Sequence, residues 1–239
     1  MQTVRSLLAV LAVFALPGAA SAQEMGINEQ NQAYFRLTAG GVTIQKVAES
    51  NGDFTLRLRN AAELVVLDVR HEKLVELSVN GRTTRVNLQS LQGDPRKLTE
   101  LRVLVASSSA IDAYRSIAAA VESKALEDVD ANLSVAEETL LLDGAFVASL
   151  GGDRAAATRH FTRLARKHRL IRVRQTRDCV GDYVTFVNWA FNLYQKCQEE
   201  AMKTGWPYYP ALLFGCTTMY YARTQSAWWQ MIACSAVPV

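Results

Sequence analysis

Between residues 33 and 88 several runs of hydrophobic positions recur at every second residue. Val42 and Ile44 alternate with polar neighbours, and so do Phe54, Leu56 and Leu58. A period of two describes strands with one wet face. Residues 64–69 form an almost continuous apolar run, which suits a strand buried on both faces, and Leu74, Leu77 and Val79 follow less regularly. Asn51-Gly52 and Asn80-Gly81 stand between such runs. Asn-Gly accepts the positive φ angles of a tight hairpin turn. The pattern predicts a small antiparallel meander of five or six strands within residues 23–92.

The period then changes to that of helices, over residues 94–171. Asp94-Pro95 reads as an N-cap followed by proline at the first helical position. Residues 110–126 are rich in alanine, a good helix former. Ser134 with Glu137 forms a capping box, and Gly151-Gly152 ends that helix, after which Asp153 caps the next. In that next helix Ala157, Phe161, Leu164, Ala165 and His168 fall on one side.

A third region, residues 178–239, carries thirteen of the chain's twenty aromatic residues and all four cysteines. Cys179 and Cys197 are 18 residues apart, as are Cys216 and Cys234. On a helix an advance of that length is about five whole turns, so each pair shares a face but lies about 27 Å apart. Bridged Cα atoms lie within about 7 Å, so pairing within a helix fails. The segment Trp206-Pro207-Tyr208-Tyr209-Pro210 makes a short connection, which forces neighbouring helices antiparallel. Of the three possible connectivities, only Cys197–Cys216 near the turn and Cys179–Cys234 at the far end remain. A strand reading draws on the β propensity of Val184, Thr185, Phe186 and Val187 but is disfavoured by length, since strands rarely exceed about ten residues. The fold class expected is therefore α+β, ending in a disulfide-stapled helical hairpin.

Residues 1–22 have the three parts of a secretory signal: Arg5, an unbroken apolar run over residues 7–16, and Ala20-Ser21-Ala22 as cleavage site. The expectation is a periplasmic or extracellular protein beginning at Gln23. An even cysteine count fits an oxidising compartment. The formal net charge is +3, one less once Arg5 is removed, which demands no polyanionic partner.

Catalytic constellations are scarce. No Walker A, G-x-S-x-G, H-E-x-x-H or Cys-x-x-Cys motif occurs. His71 reads as a residue of a solvated turn. His160 and His168 are too far apart on one helix for a shared metal. Ser107-Ser108-Ser109 reads as a helix break and cap, and Glu137-Glu138 with Asp143 as acids complementing a helix dipole. No cofactor or metal site is implied, and no catalytic residue stands out.

Charge is distributed unevenly. Residues 154–177 hold nine Lys or Arg and no acid, whereas residues 122–143 hold seven acids and one Lys. Adjacent helices of complementary charge account for this. A sharper alternative makes Arg169, Arg172, Arg174 and Arg177 a processing or anionic-surface segment. A nucleic-acid partner is not implied, because the aromatics are not interleaved with the basic run.

These features leave two main functional readings, beside a third, an enzyme without a recognisable motif. One is an exported, non-catalytic protein that binds or scaffolds at the cell envelope or outside the cell. The other is a precursor whose C-terminal hairpin is released as a membrane-active or antimicrobial peptide, with Trp189, Trp206, Trp228 and Trp229 as its interaction face. The nested staple resembles some two-helix bacteriocins in layout alone. The partner implied is a membrane surface or an envelope protein, and its identity is not legible.

Overall fold

A computed structural model describes residues 23–71, 74–87, 95–127, 134–153, 155–157, 159–160, 163, 179–204 and 209–235. The signal segment and Arg169, Arg172, Arg174, Arg177 and Trp206 lie outside the described residues. Seven antiparallel strands run in chain order across one sheet: β1 (Gln23–Ile27), β2 (Ala33–Ala39), β3 (Val42–Ala48), β4 (Phe54–Arg59), β5 (Leu64–Arg70), β6 (Leu74–Val79) and β7 (Arg82–Asn87). Among the described residues five long helices follow, α1 (Pro95–Ala106), α2 (Ser109–Glu127), α3 (Val135–Leu150), α4 (Cys179–Thr204) and α5 (Tyr209–Ser235), and residues 155–157, 159–160 and 163 are also helical. The class is α+β, as the periodicity predicts.

Seven strands replace the five or six expected. The added edge strand β1 reads Gln-Glu-Met-Gly-Ile, which has no period of two. Pairing makes it a strand: Gln23 to Ile27 run opposite Leu37 to Ala33. Residues 64–69 also differ from expectation. Val65, Leu67 and Val69 are buried, but Leu64 is 43% exposed and Val66 is half-buried. The physical reason is that the helices cover only one face of the sheet, so no strand has two dry faces.

Alternation builds the covered face. Phe35, Ile44, Leu56, Leu58, Leu67 and Leu77 all point to it and are almost fully buried. At about 25 cal/mol per Å2 of apolar surface, this layer is the main drive to form the sheet. The hairpins carry the predicted chemistry. Asn80 and Gly81 both adopt positive φ, 50° and 83°, as a two-residue turn of this twist requires. Gly52, at φ 89°, has a second reason to lack a side chain: a Cβ there would lie 2.6 Å from the Ala222 carbonyl oxygen of α5.

Helix boundaries follow local polar groups. The serine break between α1 and α2 is held by Glu63, from the β4–β5 loop. Its Oε2 accepts from the Ser108 hydroxyl at 2.8 Å, the Ser109 hydroxyl at 3.1 Å and the Ala110 N–H at 2.8 Å. The Ser134–Glu137 capping box is present at α3. Asp153 accepts from the Ala156 N–H at 2.9 Å, as a cap does. Every residue of α3 from Ala136 to Ala148 is buried, so α3 is the central helix, with α2 and α5 against it. The hairpin of α4 and α5 carries the predicted Cys197–Cys216 bridge, with Cα atoms 5.9 Å apart. The side chains of Cys179 and Cys234 lie outside the described residues, and so does the second predicted bridge.

Candidate functional site

Two places in the fold gather polar chemistry. The first is sealed. Lys46 occupies an inward position of β3, in the row Phe35–Lys46–Leu56–Leu67–Leu77 that crosses the covered face. Its side chain is 0% exposed and that of Asp143, on α3, is 1% exposed. Lys46 Nζ lies 2.7 Å from Asp143 Oδ1, which also accepts from the Tyr221 hydroxyl of α5. The other carboxyl oxygen, Oδ2, is buried without a hydrogen-bond partner. Aromatic rings close the site. Lys46 Nζ is 4.6 Å from the Trp228 ring centroid and 5.8 Å from that of Tyr221, within range of a cation–π contact. Phe146 stacks on Tyr221 at 4.3 Å, and Phe54 meets both edge-on. The Trp228 indole N–H donates to the Thr139 hydroxyl at 2.9 Å.

Burial governs the ionisation of this group. Desolvation lowers the Lys46 ammonium from its ordinary range, against the pull of Asp143. Desolvation likewise raises the Asp143 carboxyl, against Lys46 and Tyr221. Burial first, and the Asp143 charge second, push the Tyr114 phenol far up; its hydroxyl donates to the Leu140 carbonyl at 3.1 Å. Both side chains are closed off from bulk solvent.

The second place is open. The uncovered sheet face forms a groove of about 500 Å3, the size of a small-ligand pocket. Tyr34, Arg36, Gln45, Arg57 and Arg70 are among its lining residues. One register row runs Glu24–Arg36–Gln45–Arg57 across β1 to β4. Arg36 and Arg57 thus flank Gln45, two strands or about 10 Å apart. Both are exposed, and among the described residues no carboxylate forms an ion pair with either. Arg70, at the groove's end, is different. It bonds Asp68 and the Thr55 hydroxyl, each at 3.1 Å, and Glu49 at 3.5 Å. Among the described residues the groove therefore holds one neutralised arginine and two in no ion pair, with Glu24 on the strand next to Arg36.

The residues singled out from the sequence are dispersed. Trp189 is 48% exposed on α4, beside Phe186 at 5.2 Å between ring centroids. Trp228 is fully buried. Trp229 is half-buried, and its N–H donates to the Asn31 carbonyl at 2.9 Å. These tryptophans do not share one surface. Glu137 serves its capping box, while Asp143 belongs with Lys46. Among the described residues no cluster of His, Cys, Asp and Glu could hold a metal ion, and no helix is long and apolar enough to cross a membrane. His71 stands on a turn, its side chain 80% exposed. His160 is buried, with Nδ1 3.2 Å from Glu122 of α2, and Arg159 approaches the same carboxylate at 3.6 Å. The acidic and basic segments do face each other there.

Nothing in the sequence pattern singles out Lys46 by motif. Its parity does mark it: Val42, Ile44, Lys46 and Ala48 share one face of β3, and one of the four is charged. Asp143 is equally conspicuous, alone within Leu140-Leu141-Leu142-Asp143-Gly144-Ala145-Phe146. No family model matches the chain, and no curated protein or solved structure is significantly similar to it.

Proposed function

We propose that the protein is an exported, non-catalytic binding protein whose ligand docks in the groove on the open sheet face, through acidic groups. One observation carries this reading: two exposed arginines, Arg36 and Arg57, project into a groove of about 500 Å3 with no carboxylate paired to either among the described residues. Guanidinium forks suit carboxylate and phosphate geometry. Gln45 between them adds donors, and Tyr34 adds a flat apolar surface with a polar tip. Binding rather than catalysis is favoured because the hydroxyl–carboxylate pair at the groove, Thr55 with Asp68, is already engaged by the Arg70 guanidinium. The Cys197–Cys216 bridge is compatible with export, and the sequence of residues 1–22 supports it.

Release of the C-terminal hairpin has less support. Tyr221 and Trp228 are built into the common core, and α5 is fastened to the sheet through Ser226, whose hydroxyl donates to the Ser50 carbonyl at 2.7 Å. Removing residues 178–239 would uncover the Phe54 and Lys46 side of the sheet.

The test is equilibrium binding by the purified protein, starting at Gln23, at physiological salt. The probes are inorganic phosphate, a tricarboxylate, an acidic oligosaccharide and an acidic peptide. Saturable binding of an acidic probe, lost in the Arg36→Glu/Arg57→Glu variant, is the expected result. Binding that survives this double reversal would contradict the reading. N-terminal sequencing of the exported protein should begin at Gln23; a retained Met1 would remove the export part.

A further inference from the structure

The Lys46–Asp143 contact is poorly satisfied as an ion pair. An ammonium has three donors, but Lys46 has one oxygen acceptor, Asp143 Oδ1, and otherwise faces the rings of Trp228 and Tyr221. The carboxylate has one buried oxygen without a partner. Charges taken out of water recover their desolvation cost only when their remaining hydrogen-bonding capacity is filled, and a buried unmet polar atom carries its own penalty. The ring faces and the Tyr221 hydroxyl offset part of that cost, but among the described residues nothing satisfies Asp143 Oδ2.

We propose that Lys46 and Asp143 are a modification site, at which the two side chains condense to an intramolecular amide joining strand β3 to helix α3. The step balances without an oxidant or a second reactant. The neutral Lys46 nitrogen attacks Cγ of the protonated Asp143 carboxyl, and a C–N bond forms. One Cγ–O bond then breaks. The departing oxygen takes the acid proton and one amine proton, and leaves as water. The Tyr221 hydroxyl, already donating to Asp143 Oδ1, stabilises the oxygen on which negative charge develops.

Three observations favour this chemistry. The reacting groups are held in contact, at 2.7 Å from nitrogen to oxygen, by elements fixed in one core, which removes the entropy of encounter. Burial moves both groups toward the neutral forms that condensation needs, Lys46 downward and Asp143 upward. The product also fits better than the pair. It keeps one N–H, which can face the Trp228 ring, and one carbonyl, which accepts from Tyr221. The donors and the acceptor left unmet by the ion pair disappear. For a protein outside the cell, such a link between residues 46 and 143 would persist under reducing conditions that open the disulfide.

Intact mass and a tryptic map of the folded wild-type protein, after reduction and alkylation, test the proposal without any variant. The expected mass is lower than that of the unmodified chain by one water. Cleavage after Lys46 should be lost, and residues 37–57 should be recovered joined to residues 125–154. Lys46→Arg, which keeps the charge, should restore the unmodified mass. A full mass with a free peptide ending at Lys46 would overturn the proposal. So would a water lost within residues 125–154 alone, because Asp143-Gly144 could cyclise on its own backbone. Neither outcome bears on ligand binding by the opposite face of the sheet.

Discussion

Glu63 is a loop carboxylate that caps a helix to which it does not belong. Replacing it with alanine removes the acceptor from two hydroxyls and from the Ala110 N–H at 2.8 Å. The Ser108 hydroxyl still accepts from the Ile111 N–H at 3.2 Å as the N-cap, so what is lost is hydrogen bonding to a charged group, worth about 1.5–3 kcal/mol. The site is only half-buried, and water replaces part of what is lost, so about 2 kcal/mol is expected for Glu63→Ala. Glu63→Gln keeps an acceptor but not the charge at the helix N-terminus, and should cost about half as much. Acidity supplies a second signature. Burial alone would raise the Glu63 carboxyl, but the Ala110 N–H and the Ser108 and Ser109 groups outweigh it and hold the carboxyl below its ordinary 4.5. A depressed carboxyl stabilises above its unfolded value and loses that contribution as pH falls through its folded value. Urea unfolding of wild type and Glu63→Gln should therefore differ steadily above pH 5 and converge as the pH drops below about 4.5. Equal stabilities at neutral pH, or a gap undiminished in acid, would refute the capping argument.

Gly52→Ala places a Cβ 2.6 Å from the Ala222 carbonyl oxygen at a backbone φ of 89°; overpacking plus strain should cost about 3 kcal/mol in thermal or urea unfolding. His160 is held below its ordinary 6.5 by burial first, with Glu122 opposing and Arg159 assisting. A depressed histidine stabilises fully above the unfolded value, so stability should begin to fall as pH drops below about 6.5, and His160→Asn should flatten that part of the urea profile. Non-reducing peptide mapping should recover Cys197 linked to Cys216 and Cys179 linked to Cys234, and a Cys179–Cys197 peptide would break the hairpin argument.

Much of the architecture is legible where local chemistry and tertiary contacts agree. The alternation at Val42, Ile44, Phe54, Leu56 and Leu58 sets the covered face, and Asn80-Gly81 sets a hairpin. The cysteine spacing selects Cys197–Cys216 because whole turns carry each pair too far along one helix to bridge, while the short connection brings Cys197 and Cys216 together. Strand β1 is not legible, since Gln23 to Ile27 is a strand through pairing with β2. Residues 64–69 look like a doubly buried strand because Leu64 and Val66 are apolar, yet they face outward. The candidate sites are harder still. Arg36, Gln45 and Arg57 are far apart in sequence and meet through register alone, and Lys46 meets Asp143 only when α3 crosses the sheet. Part of the aromatic richness of the last region is core: Trp228 and Tyr221 enclose Lys46 rather than offering a surface.

Where the ligand binds is decided most directly by amide chemical shifts of the isotope-labelled protein during titration with the tightest acidic probe. The account predicts perturbations concentrated on β1 to β4, around Glu24, Arg36, Gln45 and Arg57. Perturbations centred instead on α4, around Phe186 and Trp189, with β2 to β4 silent, would contradict it.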